Sequence, residues 1–286
     1  MKLRRAAHTT TLHALILALI LAAALAAGPQ ARAEDKEPVS PDADFTVREI
    51  TSALFKAKPG ERIDYSHHDL TYLDLAGLDF KGAKLSHSDL YGTDFTGSNL
   101  KGTDLSHTRL NRSVLIRADL SGADLTGATI FRPTVYTDLR SDLADAPRFA
   151  GANLTQIRVM ANLSGADFRG ANLTGADFSP LEARPGQGTI TSLMKNVLKS
   201  CDFSGAVMKG ANFDRADLTF SRFVGADLQG ANLKKTDLSQ TDLTGADLTG
   251  ADLTDADLYG AKLMGVKGLD TVKGLASAVN LDKATR

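Results

Sequence analysis

Large apolar residues recur at every fifth position along most of this chain. From Leu70 to Ile130 each fifth residue is Leu, Phe or Ile, and from Phe203 to Leu263 each is Leu, Phe or Met. In the second run the residue two places earlier is small throughout, the residue between is usually Asp or Asn, and the next two are polar or Gly. A period of five fits neither an α-helix nor a β-strand, so the pattern predicts a repeat architecture.

The geometry of such a unit follows from side-chain direction. In an extended segment, residues i and i−2 face the same way, so the large residue and the small one before it both point inward. The chain then turns at the Gly-rich remainder, where a positive φ is least costly. Repetition of the unit predicts a coil of short sides, with Leu or Phe along its axis and Ala allowing the walls to approach.

The unit is plainest in "GADLTGADLTDADLYGAKL" and resembles the pentapeptide-repeat family over about residues 63–263. The resemblance implies an all-β solenoid, a right-handed quadrilateral β-helix in which four pentapeptides make one coil. Such a repeat is a scaffold and identifies architecture far more strongly than function.

The register of the repeat changes along the chain. Apolar residues occupy multiples of five up to Val135, shift by one at Phe149 and shift by one more at Leu163. Residues 136–148 and 179–200 fit the pattern poorly, and we interpret them as loops or irregular coil. The second of these segments is compatible with one imperfect coil that carries a protruding loop.

Both ends of the solenoid need a cap, because an open coil exposes strand edges. Helical spacing of apolar residues predicts a short capping helix in the N-terminal segment 34–62 and in the C-terminal segment 264–286. The residues that show this spacing are Val47, Ile50, Leu54 and Phe55 at the front, and Leu269, Val272, Leu275 and Val279 at the back.

Residues 1–33 have the pattern of a secretory signal peptide. Basic residues precede an apolar run from Ala14 to Ala27, and the small-residue motif Ala31-Arg32-Ala33 follows. The run is shorter than the ~20 residues that span a bilayer. We therefore predict cleavage after Ala33, no stable membrane span afterwards, and a periplasmic or secreted protein. An uncleaved N-terminal anchor and export through a twin-arginine signal remain alternatives.

Charge and cysteine content narrow the function further. Loss of four of the 33 basic residues with the signal leaves 29 against 34 acidic ones, a net charge near −5, which argues against a nucleic-acid partner. Cys201, the only cysteine, can form no internal disulfide and occupies a small inward position, which predicts a buried, inert thiol.

Three histidines, His67, His87 and His107, recur at an interval of four pentapeptides, which is one coil. They should form a row on one face, about 4.8 Å apart. Imidazoles bind Zn²⁺ or Cu²⁺, so a metal-binding row is one hypothesis. The other is a surface ladder left by duplication of a block one coil long, since a serine precedes each histidine. Three ligands in a straight line are poor tetrahedral geometry, and we favour the ladder, with no metal and no cofactor.

An acidic pattern raises a second candidate. Asp217, Asp237 and Asp257 repeat at the same interval of one coil. The resemblance is relevant because some cytoplasmic members of the family are thought to imitate DNA and bind DNA gyrase. The predicted signal peptide places that target in the wrong compartment, so we interpret these aspartates as solvated repeat positions.

The sequence shows no catalytic constellation, because Ser, His and Asp lie at repeat positions without a nucleophile elbow or a phosphate-binding loop. It predicts a non-enzymatic, exported module that binds or scaffolds a protein or an envelope component. The binding surface would be a flat face or the loops near residues 136–148 and 181–190. A gyrase-interacting DNA mimic and a metal-binding protein are the alternatives.

Overall fold

The computed structural model of the protein describes residues 43–136, 143–180 and 195–286. These residues form ten four-sided coils, stacked by parallel bridges between equivalent residues of neighbouring coils, such as Asp64 with Lys84. We number the sides first to fourth by the central residues of the first coil, which are Tyr65, Leu70, Leu75 and Phe80. The predicted five-residue unit and four-sided coil are confirmed.

Backbone hydrogen bonds explain why one residue of each unit bridges the coils. The N–H of Leu70 donates to the carbonyl of Asp89 in the next coil at 2.9 Å, and the N–H of Asp89 donates to the carbonyl of His68 at 3.0 Å. Because most sides repeat this exchange, the extended backbone is largely paired although most sides are too short to count as strands.

The axis of the solenoid is filled by the central side chains. Leu105 and Leu248 are each 0% exposed, and the small residues two places earlier, Thr103 and Ala246, are buried beside them. On the fourth side four phenylalanine rings stack at 4.8 to 5.0 Å along successive coils. They are Phe149, Phe168, Phe203 and Phe223. Burial of this apolar surface is the main source of stability.

Among the described residues, one α-helix, α1 (Val47–Lys56), covers the first coil. Thr46 begins it with a capping box, in which the Thr46 hydroxyl accepts from a backbone N–H of the first turn. Ile50 and Leu54 are buried against the first coil, while Phe55 is 86% exposed. The helix lies where the apolar spacing predicts one, but Phe55 is not part of the buried face.

The predicted C-terminal capping helix is wrong. Residues 264–286 contain two short 3₁₀ turns, Leu275–Ser277 and Leu281–Lys283, and a tenth coil built from six-residue units. Lys267, Lys273, Val279 and Thr285 bridge to the ninth coil. Gly268, Gly274 and Asn280 have left-handed φ values of 74°, 69° and 57°, a conformation that interrupts a helix. Backbone N–H and carbonyl groups that a helix would pair internally are instead hydrogen-bonded to the ninth coil.

The two register shifts lie at different places in the chain, and the described residues explain one of them. β1 (Thr129–Phe131) and β2 (Arg158–Met160) pair in parallel, and the central residues Val159 and Leu163 are only four positions apart, so one side is shorter by one residue. The other shift lies at the segment 136–148, of which residues 137–142 fall outside the described residues.

The second irregular segment is narrower than predicted. The unit around Leu198 is regular, since Val197 bridges to Asn162 and to Asp217. Phe178 and Leu198 therefore occupy successive sides of one coil, and no imperfect coil intervenes. The predicted protruding loop lies within residues 181–194, outside the described residues. Within the described ranges, no helix has the length and apolarity to cross a membrane.

Candidate functional surfaces

The corners of the coils carry an unusual backbone conformation. The residue two places after each central residue has a left-handed φ in most units, as in His67 (64°) and Gly77 (68°). This conformation turns the chain into the next side, which is why Gly is frequent there. A side chain at a corner can lie over the corner of the next coil, as the His107 ring does over Gly127. Corner side chains therefore form exposed rows along the solenoid.

His67, His87 and His107 form such a row at the first corner. The ring centroids are 4.7 Å and 4.8 Å apart, and the planes are stacked within 4° and 16°. Two nitrogens on one Zn²⁺ at about 2.0–2.1 Å can be no more than about 4.2 Å apart. In parallel rings at these spacings, the distance between equivalent nitrogens exceeds that limit. The structure thus places the three rings together but face to face, and no cluster of metal-ligating side chains is found among the described residues.

The acidic repeat positions have a structural role. In most units the Asp or Asn before the central residue accepts a hydrogen bond from the backbone N–H two residues on, as Asp247 does from Thr249 at 2.9 Å. The Thr249 hydroxyl donates to the same oxygen at 2.6 Å. Each such contact forms an Asx turn that fixes the corner. These carboxylates therefore stabilise the turn of the chain, whatever else they contact.

Several carboxylates are also neutralised by neighbouring cations. Asp217, whose side chain is 7% exposed, lies 3.2 Å from the ammonium of Lys195 and 3.4 Å from that of Lys199. Burial raises the pKa of Asp217, but the Thr219 hydroxyl and Lys195 outweigh burial and hold that pKa below its usual value. Asp217, the first of the three aspartates that repeat at intervals of one coil, is thus buried and ion-paired with two lysines.

Cys201 is buried, as its position predicts. Its side chain is 1% exposed, its Sγ lies 3.2 Å from the carbonyl oxygen of Leu163, and burial raises the pKa of the thiol to about 12. A thiol with that pKa is protonated at neutral pH and is a poor nucleophile.

A concavity of about 590 Å³ lies on the tenth coil, lined by Leu275, Ala278, Leu281 and Ala284 among others. Its carboxylate, Asp282, is paired with Lys283 at 2.9 Å. The lining offers no nucleophile beside a base, and it contains none of the candidate site residues His67, His87 and His107.

Sequence reasoning missed the residues at the second corner. Tyr72 and Arg112 occupy it with φ values of 57° and 58°, and Tyr72 is 62% exposed. Nearby, the Arg109 guanidinium lies 4.7 Å from the centre of the Tyr91 ring and pairs with Asp89. The signal was present in the sequence, because this corner carries large side chains where the fourth corner has Gly in the coils of five-residue units.

Comparison with protein families identifies the repeat directly. A family model described as pentapeptide repeats matches eight copies in this chain. The matched residues are 69–102, 94–130, 160–179, 197–234 and 231–267. A search of curated proteins gives no match.

Solved structures show the same kind of similarity. HetL, a pentapeptide repeat protein involved in heterocyst differentiation regulation in the cyanobacterium Nostoc, is 27% identical, with 84% of this chain and 94% of HetL covered and a TM-score of 0.34. QnrB1, a plasmid-mediated fluoroquinolone resistance protein, is 18% identical, with 76% and 92% covered and a TM-score of 0.34. A pentapeptide repeat protein of the Arabidopsis thaliana thylakoid lumen is 27% identical, with 43% and 86% covered and a TM-score of 0.28.

Proposed function

Because this chain belongs to the pentapeptide-repeat family, with its right-handed quadrilateral β-helix, we propose that it is an exported, non-enzymatic module that binds or scaffolds another macromolecule. One observation carries the proposal. Outward side chains continue from coil to coil in straight columns, such as the bridged column from Asp64 through Lys84 to Asp104 and Asp124. Columns of this kind form long, rigid surfaces that suit a macromolecule better than a small substrate.

Export is supported by the sequence of residues 1–33, which lie outside the described residues. The basic start, the short apolar run and the Ala31-Arg32-Ala33 motif favour cleavage after Ala33 and a location in the periplasm or outside the cell. The partner would then be a protein or another envelope component of that compartment.

Capture of partners tests this proposal. The full chain is expressed with an affinity tag at its exposed C-terminus, the cells are fractionated, and the N-terminus of the purified protein is sequenced. We expect a chain that begins at Glu34, is recovered from the exported fraction, and retains a defined macromolecule after chemical cross-linking. The cytoplasmic fraction serves as the control.

Two outcomes would contradict the proposal in different ways. An uncleaved chain in the cytoplasm that retains DNA gyrase would favour the DNA mimic. Stoichiometric Zn²⁺ or Cu²⁺ in the purified protein, lost in His87→Ala, would favour the metal-binding alternative.

A further inference from the structure

The second side of the first three coils is rich in aromatic and imidazole rings. After residues 1–33 the chain has four histidines, and all of them lie in these coils, at the corner that precedes the second side. They are His67, His68, His87 and His107. At the other edge of this side lie Tyr72, which is 62% exposed, and Tyr91, whose ring meets that of Tyr72 edge to face at 5.5 Å. We call the surface formed by residues 67–72, 87–92 and 107–112 the ring face.

Hydrogen bonds hold the polar groups of the ring face in place. Arg109 Nε donates to Asp89 Oδ1 at 2.9 Å, and a second guanidinium nitrogen donates to the other carboxylate oxygen. The guanidinium carbon of Arg109 lies 4.7 Å from the centre of the Tyr91 ring. Asn111 Oδ1 accepts from the N–H of Phe131 at 2.9 Å, while its Nδ2 has no acceptor among the described residues. Planar groups fixed in this way can bind a ligand with little further loss of side-chain freedom.

Four rings of the ring face occupy a backbone conformation that favours Gly. The φ values of His67, His87, His107 and Tyr72 are 64°, 61°, 57° and 57°. In most later coils the first corner has Gly instead, as at Gly175 (64°). A residue other than Gly is strained in this conformation. The rings are therefore kept against the preference of the backbone, and residues held in this way concentrate at functional sites.

The ring face has no net charge. Its two carboxylates, Asp69 and Asp89, balance its two guanidinium groups, Arg109 and Arg112, when the histidines are neutral. A balanced surface gives no electrostatic advantage to a polyanion or a polycation. Its chemistry suits a sugar, because the apolar C–H face of a pyranose packs on an aromatic ring and its hydroxyls bond to imidazole, amide and guanidinium groups.

The spacing of the imidazoles favours a polymer with a matching repeat. The centroids of His67, His87 and His107 are 4.7 and 4.8 Å apart, and all three residues are exposed. Because the rings stack face to face, a ligand reaches their edges, which carry the nitrogens. An extended β-1,4-linked glycan advances by nearly this distance per sugar, so successive sugars can bond to successive rings. An extended polypeptide advances by about 3.3 Å per residue and does not keep this register.

We propose that the ring face binds an uncharged, β-1,4-linked glycan strand that runs along the axis of the solenoid. This inference rests on the proposed function, since it names the envelope component that the module binds. The strand lies between the two edges of the second side. Its hydroxyls bond to the histidines on one edge, and the C–H face of one sugar packs on Tyr72 at the other.

Fluorescently labelled cellohexaose and chitohexaose are the probes, and both have the β-1,4 linkage. Their binding to the protein purified from cells that express the full chain is measured by fluorescence anisotropy. Tyr72→Gly removes the exposed ring, and His87→Gly removes the middle imidazole. Glycine suits the left-handed φ of both positions, so the fold is retained, and thermal unfolding checks this. We expect each variant to bind about two- to tenfold more weakly, the range for one aromatic contact or one hydrogen bond.

Two control variants match the test variants away from the ring face. Phe220→Gly removes an equally exposed ring, also 62%, from a left-handed corner (63°) of the seventh coil. Gln156→Gly makes the backbone change of His87→Gly at the first corner of the fifth coil, where φ is 56°. Both controls should bind the hexamers as the unsubstituted protein does. Maltohexaose tests the spacing, because it has the sugars of cellohexaose in a coiled, α-1,4-linked chain and should bind more weakly.

The proposal fails if neither β-linked hexamer binds, or if Tyr72→Gly and His87→Gly bind them as well as the two controls do. Equal binding of maltohexaose, or tighter binding of polygalacturonate or poly-L-glutamate, would also overturn the assignment. If the exported chain binds neither hexamer but retains a defined protein after cross-linking, this proposal fails while the proposed function stands. Hexamer binding by a chain recovered uncleaved from the cytoplasm would support the ring face as a glycan site and contradict export.

Discussion

The Tyr72 ring covers the corner at Gly92 so closely that a Cβ atom built on Gly92 would lie 2.6 Å from a ring carbon. Gly97, at the next corner of the same coil, has a similar φ of 64° but no atom within 4 Å of its Cβ position. Gly92→Ala should lower the free energy of unfolding by about 2 kcal/mol or more, and Gly97→Ala by about 1 kcal/mol. Chemical denaturation measures both, and equal losses would show that the ring contact is unimportant.

Leu105 is 0% exposed at the centre of the third coil, and Leu105→Asp should unfold the protein by burying an unpaired charge, at a cost of at least about 4 kcal/mol. Val207 provides the matched control, because it is 36% exposed at a unit position where Asp is usual. Val207→Asp should change stability by less than about 0.5 kcal/mol. A Leu105→Asp variant that retained its melting temperature would contradict the assignment of central residues to the axis.

Asp247 should make the stability of the ninth coil depend on pH. The Thr249 hydroxyl, the Thr249 N–H and the Gln229 amide lower the pKa of Asp247 to about 2, from 3.8. Because the folded-state pKa is the lower one, the stabilisation is present above pH 3.8 and is lost as the pH falls toward 2. In Thr249→Val the Asp247 pKa should rise, as measured by NMR titration of the carboxyl carbon. An unchanged pKa would show that the hydroxyl contributes nothing.

Cys201 should resist thiol reagents in the folded protein. Its burial and its pKa of about 12 leave almost no accessible thiolate at neutral pH. Maleimide labelling should therefore occur at the rate of unfolding and become rapid in denaturant. Rapid labelling under native conditions would mean that the sixth coil opens locally.

The histidine row should bind no metal ion tightly. Titration with Zn²⁺ and Cu²⁺ by calorimetry should give no stoichiometric heat, and His87→Ala should behave as the unsubstituted protein does. The reason is the stacking of the rings at 4.7 and 4.8 Å, which keeps equivalent nitrogens too far apart for one ion. Binding that is abolished by His87→Ala would require the rings to rotate out of the stack.

The sequence predicted the solenoid well because one short pattern determines every side. Leu105 and Cys201 are buried where the five-residue frame places them. The frame did not predict the tenth coil, because its units have six residues and its apolar spacing, as at Leu275, imitates a helix. Nor did it identify the unit of Leu198, whose small inward position is occupied by Asn196.

Asn196 shows why that unit was missed. Its buried side-chain amide donates to the carbonyls of Val159 and Phe178 and accepts from the N–H of Ala161. These three hydrogen bonds replace the packing of Ala, and no simple apolar pattern reveals them. The large side chains of the second corner were overlooked for a different reason, since the five-residue frame treats each of them as an ordinary turn residue.

The aromatic stack on the fourth side has a consequence for how this chain can change. Far more of the chain separates Phe168 from Phe203 than separates Phe203 from Phe223, yet the two pairs of rings stack at nearly the same spacing, 4.8 Å and 5.0 Å. The spacing of the core rings is therefore independent of how many residues lie between Pro180 and Lys195. A segment of different length or sequence could replace residues 181–194, and the loss of stability would be only the modest free energy of closing a longer segment. The second corner of the sixth coil is therefore a position at which the protein could acquire a new binding specificity.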